Sequence, residues 1–184
     1  MKPLYHGTIY DFDETDVSAG KGYKDFGKGV YATAFPSHAE RLAIRNKNIA
    51  VKRQSFLKNK NGINFQPVVA YRYNLLFSEN TDGLKVKVFD KADREWLRFI
   101  LQNRKCDGCT YDYDIVIGPT ADAETTTIIN EYYDELEESG YSDEVCEKVI
   151  AELKPENIPK QYFFRTNEAV KPLSFDKVKR QVIG

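Results

Sequence analysis

No run of about 18 apolar residues occurs in the 184-residue chain, so no segment is expected to cross a membrane as a helix. The opening "MKPLYHGTIYDF" lacks the apolar core of a signal peptide, and the expectation is a cytoplasmic protein with no membrane partner. A basic excess is missing too. The 27 Lys and Arg are balanced by 28 Asp and Glu, so nothing in the charge names nucleic acid as an obligatory partner. Cysteine is scarce and odd in number: Cys106, Cys109 and Cys146. That argues against a disulfide framework and fits a reducing compartment. "CDGC" (106–109) has the spacing of half a zinc knuckle, but Cys146, His6 and His38 supply no second pair, so no metal is expected. It also lacks the thioredoxin-like surroundings that a redox motif requires. Internal repeats and low-complexity linkers are absent, and residues 1–184 are expected to form a single domain with a sizeable core.

Aromatic residues are plentiful, 12 Tyr and 11 Phe among them, enough to fill a core or line a site for a flat ligand. "KPLYH" and "GVYAT" read as short strands separated by a polar loop. Ser37 followed by Glu40 forms a capping box and predicts a helix from about His38 that can reach Leu57. "QPVVAYRYNLLF" alternates as a strand with Val69, Tyr71, Tyr73 and Leu75 on one face, and "LKVKVF" is its expected partner across the "SENTDG" turn. "KADREWLRFILQNR" has the spacing of a core-facing helix, and "YDIVIG" is a buried strand ended by Gly118-Pro119. "DAETTTIINEYYDELEESG" predicts one helix closed by Gly140, and "SDEVCEKVIAELK" another. "QYFFRT" and a short final stretch in "AVKPLSFDKVK" complete the strands. Strands first, helices in the middle and strands last make the fold class α+β.

Three segments carry chemistry. In "LYHGT", His6 offers a ring nitrogen, Gly7 a peptide unit with no Cβ in front of it, and Thr8 a hydroxyl. That set suits ribose hydroxyls and a carboxamide. "FGKGVYAT" (26–33) sets two glycines before Tyr31, either as a tight turn feeding a core strand or as backbone held against something. It is no dinucleotide fingerprint, because the third glycine is missing and a strand follows. "QYFFRTNEAVKPLSF" opens on Gln161 and reads by itself as an edge strand and a turn. Asp112, Asp114 and Asp122 in "DYDIVIGPTAD" could do acid–base work or flank a strand start and cap the next helix.

Taken together, "YHGT", "FGKGVYAT" and the late "QYFF" resemble the three motifs of the ADP-ribosyltransferase superfamily, nearest its poly(ADP-ribose) polymerase-like branch. Nearly the whole chain is similar to a bacterial group of that superfamily in which "DFGKG", "DYDIVIGPTAD" and a glutamine-led last motif travel together. The resemblance implies a split β-sheet core with a helical middle segment, and NAD as substrate. It implies that His6 bonds the adenosine ribose, that the Gly7 backbone pairs with the carboxamide, that Tyr31 stacks on nicotinamide, and that Gln161 stands where the catalytic glutamate usually sits. Thr8 and Gly29 belong to the same motifs. Thr33 and Phe35 are the nearest substitutes for a serine and a second aromatic, whose usual places hold Ala39 and Leu42.

Glutamine keeps an acceptor oxygen but carries no charge and takes no proton. The expected activity is therefore mono-ADP-ribosyl transfer to a protein or nucleic-acid acceptor, with NAD glycohydrolysis as a side reaction, in a toxin or phage-conflict effector that a partner protein could neutralise. Chain elongation is disfavoured. Arginine modification is disfavoured too, since Pro159 replaces the usual second acid. The alternatives are a catalytically silent NAD-binding module and an RNA 2′-phosphotransferase, for which Arg41 and Arg165 are too few.

Overall fold

A computed structural model describes residues 1–61, 64–121, 123–154 and 158–184. The chain divides into two compact units, one made of Met1–Thr15, Ala32–Thr81 and Lys171–Gly184, the other of Asp16–Tyr31 and Asp82–Val170. Strands and helices are mixed in both, as the α+β reading expects.

The first unit is built on β1 (Lys2–Thr8) and β3 (Ala70–Phe77), antiparallel with Lys2 opposite Phe77 and Thr8 opposite Tyr71. Alternation places Tyr73, Leu75 and Phe77 on the buried face of β3. β7 (Leu173–Ile183) flanks β3 and runs eleven residues where only a short strand was expected. β2 (Val30–Thr33) meets β1 with Thr33 across from Tyr5, and its first two residues belong to the second unit. The loop after β1 is pinned by stacking of Phe12 on Tyr73 at 3.9 Å, and the Tyr73 hydroxyl accepts from the Phe12 N–H and donates to Asp11 Oδ1, each at 2.8 Å.

α1 (Pro36–Asn61) starts earlier and ends later than predicted, and the capping box is not formed. Proline tolerates the first helical position because its missing N–H needs no partner there. Thr33 Oγ1 accepts the Phe35 N–H at 3.2 Å, and the Phe35 carbonyl takes the His38 and Ala39 N–H groups. Glu40, freed from capping, pairs with Arg72 on β3. α1 packs on β1 so closely that a Cβ on Gly7 would lie 1.8 Å from the Ala39 carbonyl oxygen. This helix fills the side of Gly7 on which a Cβ would stand.

In the second unit β4 (Val86–Val88) runs parallel to β5 (Ile115–Pro119), which pairs antiparallel with β6 (Lys160–Phe164). The expected hairpin partner of the 66–77 strand thus pairs with β5 instead. Asp114 explains the choice: its N–H donates to the Lys85 carbonyl at 2.8 Å, and its Oδ2 accepts the Lys85 N–H at 2.9 Å. So Asp114 does flank a strand start, while Asp112 pairs with Lys85 and Arg165 on the exterior. The helix cap expected of Asp122 lies outside the described residues.

The helices of this unit are α2 (Arg94–Arg104), α3 (Ala123–Glu131), α4 (Tyr133–Glu138), α5 (Asp143–Leu153) and the short α6 (Asn167–Val170). One predicted helix is thus two, broken at Tyr132, whose ψ of 7° leaves the helical range. From the break the Tyr132 hydroxyl reaches Glu152 on α5 at 2.6 Å while Leu136 is fully buried. α2 and α5 are capped by Asp93 and Ser142. Trp96, Leu97 and Ile100 of α2, Val145 and Val149 of α5, and Phe26, Val116 and Phe163 share one core. The Trp96 indole is satisfied by the Pro119 carbonyl at 3.0 Å. Among the described residues no helix is long and apolar enough to cross a membrane.

Candidate active site

The "DFGKG" loop (25–29) explains both of its glycines by what lies against them. Gly27 has φ of +92°, a conformation that disfavours side chains, and a Cβ there would come within 2.4 Å of Cys109 Sγ. A Cβ on Gly29 would lie 2.4 Å from the Phe164 carbonyl oxygen and 2.7 Å from the Phe163 ring. The loop is held against β6 and the "CDGC" turn. All three cysteines are free thiols, and Cys109 donates to the Phe26 carbonyl at 3.5 Å.

Tyr31 closes on this loop. Its hydroxyl donates to the Gly27 carbonyl at 2.8 Å and accepts the Phe26 N–H at 3.0 Å. Its ring rests on Phe163, centroids 4.7 Å apart, and keeps part of its surface exposed. From the other side of the Phe26 peptide, the Tyr111 hydroxyl donates to the Phe26 carbonyl. Burial pushes both phenols well above the ordinary tyrosine range, with the Asp25 charge adding to the effect at Tyr31 and Cys109 adding to it at Tyr111. An unfolded chain releases these protons near pH 10, whereas the folded protein holds them. Their contribution to stability is complete below about pH 10 and is lost as the pH rises beyond it. Urea midpoints should therefore fall between pH 9.5 and 11, and Tyr111→Phe should flatten that fall; equal slopes in the two proteins would refute the assignment.

Gln161, at the second position of β6, is 8% exposed. Its Nε2 lies 3.1 Å from Asp25 Oδ2 and 3.5 Å from the Pro119 carbonyl oxygen. Both partners only accept, so the amide nitrogen must face them, and Oε1 is left as the side chain's remaining acceptor. Asp25 is the centre of the arrangement. Its Oδ1 takes Arg104 Nε at 2.9 Å and an Arg104 terminal nitrogen at 2.7 Å, and its Oδ2 also takes the Ala121 N–H at 3.1 Å. Arg104 further donates to Thr126 Oγ1 at 3.1 Å. Consecutive residues 25–27 thus fasten both Tyr31 and Gln161. Sequence reasoning passed over Asp25 and Arg104; the available signal was an acid directly before a glycine turn, with no hint of its partners 79 and 136 positions away.

The remaining expected residues belong to the first unit. His6 is half-buried on β1, opposite Tyr73 in register and edge-on to Phe12 at 5.9 Å. Thr8 is buried, and its Oγ1 accepts the Tyr10 N–H at 3.2 Å. Thr33 is buried and spends its oxygen on Phe35, whose own ring is 52% exposed. The depression between α2 and α5 shares no residue with the Asp25 network and is crossed by ion pairs from Arg94 and Arg98 to Asp143.

Neither a curated protein nor a solved structure matches this chain. A family described as "protein of unknown function (DUF3990)" matches residues 2–175, and the chain belongs to that family.

Proposed function

We propose that the protein is an NAD-dependent mono-ADP-ribosyltransferase acting on a macromolecular acceptor. The observation that carries this reading is the convergence of two motif residues, Tyr31 and Gln161, on the single loop 25–27. A mostly buried aromatic ring with part of its surface exposed and an amide oxygen with a fixed direction suit nicotinamide and a ribose hydroxyl, and this is the fit between NAD and the residues present. NAD supplies the ADP-ribosyl group: its bond from ribose C1′ to nicotinamide breaks, nicotinamide leaves with the electron pair, and an acceptor atom bonds C1′ and yields its proton to solvent.

The chain's part is binding and orientation. The Tyr31 ring provides the stacking surface, and its hydroxyl, bonded to residues 26 and 27, holds the ring still. Gln161 Oε1 accepts from a ribose hydroxyl, and its partial negative charge faces the positive charge that develops at C1′. His6 and the Gly7 backbone are assigned the adenosine ribose and the carboxamide by the motif resemblance alone. The protein is further proposed to act as an effector whose activity a second protein restrains.

One feature favours a silent NAD-binding module instead: Gln161 cannot take a proton. Calorimetric titration with NAD and an assay of free nicotinamide separate the two readings. Binding with nicotinamide release supports the enzyme, binding without release supports the module, and absence of binding refutes both. Tyr31→Ala and His6→Ala should each weaken NAD binding about tenfold, the scale of one lost stacking or hydrogen-bonding partner. Gln161→Ala should lower turnover more than it lowers affinity.

A further inference from the structure

We infer that Asp25 is the positioning residue of this site, and that its carboxylate is the reason position 161 carries an amide in place of an acid. The negative charge that a glutamate would bring to β6 is already present, one hydrogen bond away, on the loop before Tyr31. Asp25 is itself fixed by two nitrogens of Arg104 on one oxygen and by the Ala121 N–H on the other. Its remaining capacity is directed at Gln161 Nε2, 3.1 Å distant.

Two consequences follow from elementary electrostatics. A carboxylate at position 161 would set two acids about 3 Å apart with little solvent between them, an arrangement in which one must hold a proton. Glutamine turns the same contact into a charge-assisted hydrogen bond. The bond also removes the ambiguity of an amide: with Nε2 committed to Asp25, Oε1 has one direction. The first consequence stands on geometry alone; the positioning of Oε1 toward NAD rests on the proposed ADP-ribosyl transfer.

Four proteins test the inference: wild type, Asp25→Asn, Gln161→Glu and the double variant. Gln161→Glu should lower the melting temperature at pH 8 by on the order of 5–10 °C, the scale of an uncompensated buried charge. Protonation of one member of the new acid pair restores the contact, so the deficit should shrink as the pH falls toward 5. The pair's raised pKa makes its favourable form complete at low pH and lost as pH rises, in agreement with that sign. In the double variant the amide introduced at position 25 can donate to the carboxylate introduced at position 161, while the Ala121 N–H loses its acceptor. It should therefore recover part of the pH 8 loss, with a combined cost smaller than the sum of the two single losses. It remains informative if Gln161→Glu alone does not fold at pH 8.

Unfolding at the wild-type temperature by Gln161→Glu at pH 8, or losses that simply add in the double variant, overturns the assignment. In protein that releases nicotinamide, Asp25→Asn should lower kcat about tenfold with KM nearly unchanged, since it loosens an atom that acts in the transition state. An unchanged kcat would end the positioning role. Should wild type release no nicotinamide, the reading as a transferase fails by itself, and the melting-temperature cycle still decides whether Asp25 dictates glutamine at 161.

Discussion

Gly7→Ala should cost more stability than alanine at any other described glycine, since its added carbon makes the closest approach among them. The added carbon would sit 1.8 Å from the Ala39 carbonyl oxygen, 2.7 Å from its carbonyl carbon and 3.1 Å from its Cα. All three are backbone atoms of α1, so no side-chain rotation relieves the clash. The helix cannot retreat by itself. Ala39 and Ala43 are buried beneath it, and Glu40 is paired with Arg72 on β3. Overpacking of a tight core costs about 1–3 kcal/mol and occasionally more; backbone on backbone belongs at the upper end. A loss of about 3 kcal/mol or more lowers the melting temperature by roughly 6–12 °C in a chain of this size.

Two controls separate sterics from backbone effects. Gly83 has φ of +79° and open space around its Cα, so Gly83→Ala should cost only about 1 kcal/mol. Gly108 has open space and no positive φ, so Gly108→Ala should be neutral within about 0.5 kcal/mol. A Gly7→Ala protein that melts within 2 °C of wild type would show that α1 does not bear on β1 as described.

The same residue shows where sequence stops being informative. That Gly7 follows His6 at a strand end was legible, and so was the need for close approach. What approaches was not, because the neighbour is 32 positions on and belongs to a helix whose start was misread. The predicted capping box from Ser37 to Glu40 is a local signal, and a tertiary one overrode it: Arg72 on β3 offers Glu40 a full counter-charge. α2 and α5 were read correctly because their periodicity is local and their burial follows it. The partner of β4 was not, since a turn signal such as "SENTDG" favours the nearest strand, whereas Asp114 fastens Lys85 from a distance in sequence. By itself the segment that Gln161 opens reads as an edge strand and a turn, which gives no sign that this side chain is buried. The network that buries it joins residues 25, 104, 121 and 161, and no window of sequence contains two of its ionic members.

Arg104→Met should be a costly change although it removes no core hydrophobic group. Methionine keeps much of the aliphatic stem, so packing against the second unit's interior changes little. What is lost is the cation on Asp25, whose side chain is 13% exposed, against 22% for Arg104 itself. The carboxylate keeps the Ala121 and Gln161 N–H donors but has no counter-charge. Removing one partner of a fully buried pair costs about 3–5 kcal/mol, and the residual exposure here brings the expectation to about 2–4 kcal/mol. Exposed pairs set the contrast: Lys148→Met, which breaks the bond to Glu135, should cost under about 1 kcal/mol.

Arg104→Lys supplies charge but not the planar fork that places two nitrogens on Asp25 Oδ1, and should recover about half of the loss. Urea denaturation of the three variants at pH 7 measures these differences directly. The comparison also bears on the site. If Arg104 is what holds Asp25 in place, Arg104→Met should loosen Gln161 as Asp25→Asn does, and the proposed release of nicotinamide from NAD, where the wild type shows it, should fall at temperatures where the protein is still fully folded. Equal stability of the Arg104→Met and Lys148→Met proteins would mean that the Asp25 carboxylate is solvated in solution, and the ordered network beneath Gln161 would have to be abandoned.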